Sequence, residues 1–113
     1  MADWRELRGR LAGATGADAG IDAGIAQAFA LPPGDYTASP DKCRALVASA
    51  LPGWHLHVGY GASGVFPYAA LTRSGQHVEA EAPTLPLAIL RAAAVAAALG
   101  PAASPTPSAP PPA

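Results

Sequence analysis

The chain predicts an α+β domain: a three-stranded antiparallel meander flanked by helices, in the order helix-helix-helix-strand-strand-strand-helix. Three observations lead there. Two helix starts are written plainly, Ser39-Pro40-Asp41 and Thr84-Leu85-Pro86. Between them lie short stretches of alternating polar and apolar residues broken by turn chemistry, notably Ser74-Gly75. After Gly100 the composition changes to Pro, Ala, Ser and Thr, which bounds the domain at residues 1–100 and leaves 101–113 as a disordered tail.

Each element has its own grounds. Residues 3–13 read as a helix: Asp3 can cap it, and Trp4, Leu7, Leu11 and Arg8 follow an i, i+3, i+4 spacing. Gly13-Ala14-Thr15-Gly16 is a break. Asp18 caps a second helix whose apolar stripe is Ile21, Ile25, Ala28 and Phe29. Gly20 and Gly24 weaken that helix by roughly 1 kcal/mol each relative to alanine, so packing must hold it. Leu31-Pro32-Pro33-Gly34-Asp35 ends it as a loop.

Ser39 then caps a helix over about 40–50. Pro40 takes the tolerant first position, Asp41 suits the positive end, and Cys43, Leu46, Val47 and Ala50 face inward. Leu51-Pro52-Gly53 stops it. The first strand spans about 54–60, with Trp54, Leu56, Val58 and Tyr60 on one face and His55 and His57 on the other. Gly61-Ala62-Ser63-Gly64 is a turn. The second strand, about 65–73, contains Pro67, which suggests an edge or a bulge. The third, about 76–82, turns Val78 and Ala80 inward and His77, Glu79 and Glu81 outward. Thr84 caps the last helix, which runs to Leu99 and stops at Gly100.

Composition narrows the function. The 113 residues hold seven Lys or Arg against eight Asp or Glu, with no basic stripe, so binding of a nucleic-acid polymer has little electrostatic support. Cys43 is the single cysteine, which allows no internal disulfide and fits a reducing compartment. Met1-Ala2-Asp3-Trp4-Arg5-Glu6 has no apolar core and does not read as a signal peptide. The longest apolar run, 85–99, holds Pro86 and Arg91 and is too short to span a bilayer. Twenty-nine alanines bury little area each, so the core leans on Leu, Ile, Val and seven aromatics.

The motifs for chemistry weigh lightly. Gly59-Tyr60-Gly61-Ala62-Ser63-Gly64 spells GxGxxG after a strand, with Glu79 twenty residues on. A dinucleotide site needs those glycines to open a helix that holds the pyrophosphate at its N-terminus. Val65-Phe66-Pro67-Tyr68 is a strand pattern instead, so the glycines read as a hairpin loop. His55 and His57 share one strand face, and in a meander they can share a surface with His77, Glu79 and Glu81. Three imidazoles and a carboxylate suit zinc, but no HExxH or CxxC spacing supports a metal, and a solvated polar face is the plainer reading. Ser63 is not in a GxSxG context. Arg91 interrupts an apolar helix face; it either extends its head to solvent or pairs with Glu79, Glu81 or a bound anion. In the tail, Pro107-Ser108-Ala109-Pro110 matches PxxP by proline density alone.

The Tyr36-Thr37 lead into a capped helix, the run Leu51-Pro52-Gly53-Trp54, and Glu79-Ala80-Glu81-Ala82-Pro83-Thr84 leading into Leu87-Ala88 resemble the bacteriophage "ABA sandwich" domain family. Ala14-Thr15-Gly16 and Ile21-Asp22-Ala23 add to the likeness, which covers roughly residues 3–99. These are small phage and prophage proteins, largely of unknown function. The resemblance implies a sheet covered by helices and carries over no catalytic residue.

The resulting expectation is a non-catalytic phage accessory protein of the host cytoplasm, with no cofactor. One version sequesters a small nucleotide-type host immune signal on a surface made from Trp54, His55, His57, Tyr60, Tyr68, Arg73 and His77: aromatics to stack, cations to meet phosphate. The other is a structural or assembly module forming homo-oligomers through a sheet edge or the alanine-rich last helix. An enzyme, metal-assisted for example, is the third class weighed.

Overall fold

A computed structural model describes residues 4–60, 64 and 66–99. The Asp3 cap, most of the Gly61–Gly64 turn, the Gly100 stop and the proline-rich tail with its PxxP spacing lie outside those residues. The expected α+β order is present: α1 (Trp4–Gly13), α2 (Ala19–Ala28), a 3₁₀ turn (Tyr36–Ala38), α3 (Pro40–Ala50), β1 (His55–Tyr60), β2 (Pro67–Arg73), β3 (Gln76–Glu81) and α4 (Leu85–Ala98).

Three side-chain caps start the helices as the residues predict. Asp18 accepts from the Ile21 amide at 2.9 Å, Ser39 from Lys42 at 3.2 Å, and Thr84 from Leu87 at 3.4 Å. The 3₁₀ turn was not expected. It presents buried Thr37, whose amide and hydroxyl both donate to Asp22 Oδ1 at 2.7 Å while its oxygen accepts from the Asp18 amide at 2.8 Å. That network ties the loop after α2 to the start of α2. It also explains how so glycine-rich a helix is held. A Cβ on Gly20 would stand 2.8 Å from the end of the flexible Arg10 side chain, which can move aside, and one on Gly24 would make ordinary 3.5 Å contacts with Arg10 and Leu7.

The sheet has the order β1-β2-β3, antiparallel throughout. Ser74 (φ 47°) and Gly75 (φ 86°) make the two-residue turn between β2 and β3, where consecutive positive φ angles match the strand twist. Pro67 does not mark an edge. It is the first residue of the central strand, where a missing N–H is tolerated, and its carbonyl accepts from Ala82 N at 3.2 Å.

α4 is the centre of the molecule. It packs on β2 and β3 with one side and on α1 and α3 with others. Leu87, Ala88, Ile89, Leu90, Ala92, Ala93, Ala94 and Ala96 have no solvent exposure. Alanine there lets the layers approach closely, and the bulk comes from Leu11, Ile25, Leu46 and Leu71 around it. Most of its surface is therefore used within one chain, with Arg91, Val95 and Ala97 only partly covered and Ala98 exposed.

Candidate functional site

Strand register decides which polar residues meet. Cross-strand partners give the sheet face away from α4 three rows: His55–Thr72–His77, His57–Ala70–Glu79 and Gly59–Tyr68–Glu81. The three histidines, Thr72, Glu79 and Glu81 are exposed, and among the described residues no helix or strand packs over them. The sheet is thus helix-covered on one face. The Tyr68 ring lies over Gly59, where an added Cβ would come within 3.1 Å of it, and 6.0 Å from the His57 ring. His77 Nε2 lies 3.2 Å from Glu79 Oε1.

Of the seven ligand-face candidates, His55, His57, Tyr68 and His77 come together on this surface. The other three lie elsewhere. Trp54 and Arg73 are each 7 % exposed and close one end of the core, the guanidinium stacked 4.4 Å from the indole centre and bonded to Gln76 Oε1 at 2.6 and 3.0 Å. Tyr60 is 69 % exposed at the far end of β1, on the inner-face parity. Strand alternation separates these groups, and it was visible in the sequence for Trp54 and Tyr60.

The same geometry bears on the chemical motifs. Among the described residues, the element after β1 is a strand bonded to it and not a helix, which gives the GxGxxG reading no helix N-terminus to hold a pyrophosphate. Among the described residues, no three His, Cys, Asp or Glu side chains come close enough to hold a metal ion. Cys43 is buried beneath α4, its Sγ 3.0 Å from the Tyr36 carbonyl. Burial, with the Asp22 charge adding to it, pushes its thiol up to about 12.

Arg91 does not reach solvent alone, nor does it pair with a glutamate carboxylate. Its Nε donates to the Leu11 carbonyl at 2.8 Å, Nη1 to the Glu81 carbonyl at 2.8 Å, and Nη2 to Ala12 and Ala14 at 3.0 and 3.2 Å. The Leu11, Ala12 and Ala14 carbonyls, at and just past the C-terminus of α1, thereby accept from a side chain of α4. Beside it, Arg5, Arg8, Gly9, Ala12, Ala80, Arg91 and Val95 line a groove of about 480 Å³ between α1, β3 and α4. Sequence reasoning placed Arg5, Arg8 and Arg10 on one helix but had no means to bring Arg91 to Arg5 and Arg8. A smaller hollow of about 260 Å³ involves Ala19, Asp22, Ala23, Pro33, Gly34 and Asp35. Its carboxylates are engaged, Asp22 with Thr37 and Asp35 with Lys42 at 3.2 Å. The Lys42 contact holds the Asp35 carboxyl below its usual range.

No protein-family model, no curated protein and no solved structure matches this chain. Among the described residues no helix is long and apolar enough to cross a membrane.

Proposed function

We propose that this chain is a small accessory protein that acts by binding, without making or breaking bonds, and that its ligand is of nucleotide type. One arrangement carries the reading: the uncovered sheet face has an aromatic end and an imidazole end. Tyr68 offers a π surface for a base, with the Glu81 carboxylate across the strand to accept from an exocyclic amine. Four residues along β2, about 13 Å at ~3.3 Å per residue, the row His55–Thr72–His77 offers two imidazoles and a hydroxyl to a phosphate group. That span is comparable with the length of a nucleoside diphosphate. In the phage setting suggested by the family resemblance, such a protein would hold a small immune-signalling nucleotide in the host cytoplasm.

Calorimetric titration of the full chain with mono-, di- and cyclic dinucleotides tests this. Binding that weakens in Tyr68→Ala and in His55→Ala is the expected result. Absence of both heat and a melting shift across the panel rejects it.

A second reading, assembly of identical chains without a small ligand, has one observation in its favour. The edge strand β1 (His55-Leu56-His57-Val58-Gly59-Tyr60) carries no Lys, Arg, Asp, Glu or Pro to deter pairing, whereas the other edge, β3, carries Glu79 and Glu81. Light scattering that reports one chain's mass across a wide concentration range removes that reading.

A further inference from the structure

We propose that the groove between α1, β3 and α4 is an anion site, separate from the sheet face, that takes a small phosphate-bearing molecule through Arg5 and Arg8. Three of the chain's six arginines line it, and among the described residues no carboxylate does. This concentration of positive charge sits in a protein whose net charge is −1, so it is a local feature and not a basic surface in general.

The arginines differ in what they have left to give. Arg91 spends four of its five N–H groups on the carbonyls of Leu11, Ala12, Ala14 and Glu81, so its charge is fixed in the wall. Arg5 and Arg8 are exposed, and among the described residues neither makes an ion pair or hydrogen bond. They stand one turn apart on the same side of α1, where two like charges repel each other. An anion between them removes that repulsion and meets two planar donor forks, the geometry that grips phosphate oxygens bidentately.

The rest of the lining is small or apolar. Gly9 and Ala12 keep the α1 wall low; a Cβ on Gly9 would touch nothing within 4 Å. Ala80 and Val95 supply an apolar surface for a sugar or ring. A volume of about 480 Å³ is within the range of small-molecule sites. The sheet face differs in kind: it is open and carries two carboxylates, so a multiply charged anion finds less opposition in the groove.

The test uses the full chain, amide NMR spectra, and pyrophosphate, ADP and adenosine as probes. Pyrophosphate and ADP should shift the amides of Gly9, Ala12 and Ala80, and adenosine should not. Arg5→Gln/Arg8→Gln should weaken pyrophosphate binding by about tenfold or more, Arg44→Gln on α3 should leave it unchanged, and added salt should weaken it. Pyrophosphate that leaves those amides in place at 10 mM overturns the proposal. So do shifts confined to His55, Thr72 and His77, or unaltered affinity in the double variant. Because the spectra of the unaltered protein report both surfaces, a silent groove and a silent sheet face are read separately.

Discussion

Replacing Arg91 by methionine keeps an unbranched apolar stem and removes only the head. Four hydrogen bonds from a charged group disappear, at 2.8, 2.8, 3.0 and 3.2 Å. A bond to a charged group is worth about 1.5–3 kcal/mol, which sets a ceiling for four near 6–12 kcal/mol. The true loss is smaller. Arg91 is half-buried, and three of the four bonds serve one helix terminus, so water re-pairs part of what is lost. A net loss of about 3 kcal/mol follows. For a domain of about 100 residues that lowers the melting temperature by about 15 °C, or the urea midpoint by about 2 M. Arg91→Lys, with one ammonium that cannot serve both α1 and Glu81 together, should recover less than half. Urea unfolding followed by circular dichroism measures both, and hydrogen exchange should show α1 opening before the sheet. A loss below about 0.5 kcal/mol for Arg91→Met would refute the claim that this side chain fastens α1 to α4 and β3.

Other consequences are equally direct. Cys43 titrates near 9.0 unfolded and about 12 folded; the folded state keeps its proton longer, so the stabilisation is intact below pH 9 and is lost as pH rises toward 12. The effect has a ceiling of about 4 kcal/mol, and Cys43→Ala should flatten that limb of a stability-against-pH curve while lacking the thiol's packing at all pH values. Thr37→Val keeps the volume but strips the hydroxyl from Asp22 and Asp18, and a loss of about 2 kcal/mol in thermal unfolding is expected. Gly75→Val forces a β-branched residue to φ 86°, which should cost more than about 1 kcal/mol in chemical denaturation; an unchanged midpoint would contradict the turn geometry.

Local rules served the sequence reading well where the partners were local. Asp18, Ser39 and Thr84 cap amides three residues ahead, and a side chain so close to its target leaves a legible pattern. Alternation likewise placed His55 and His57 opposite Leu56 and Val58. What stayed hidden is long-range and involves backbone. Arg91 bonds carbonyls 77–80 residues away, and a carbonyl has no residue identity to recognise. The 3₁₀ turn owes its place to Asp22, fifteen residues before Thr37. Arg73 looked like a free cation because nothing in its neighbourhood announces that Trp54 will lie beneath it. Pro67 suggested an edge because proline lacks a donor; its position at the start of the strand removes the conflict. Alternation puts His55, His57, His77, Glu79 and Glu81 outward, but Tyr68 and Thr72 join that face only through the register, and the cationic groove needs α1 and α4 in contact.

The burial of α4 carries a consequence for biogenesis. The segment that α1, α3, β2 and β3 pack on is the last one described along the chain, so a ribosome must release it before the core around it can close. Until then α1, α3 and β2 lack the helix they pack on, and the nascent polypeptide remains more open to chaperones and proteases. Premature termination ahead of Leu85 therefore leaves a product without the central helix of its core, not a slightly shortened version of the same domain.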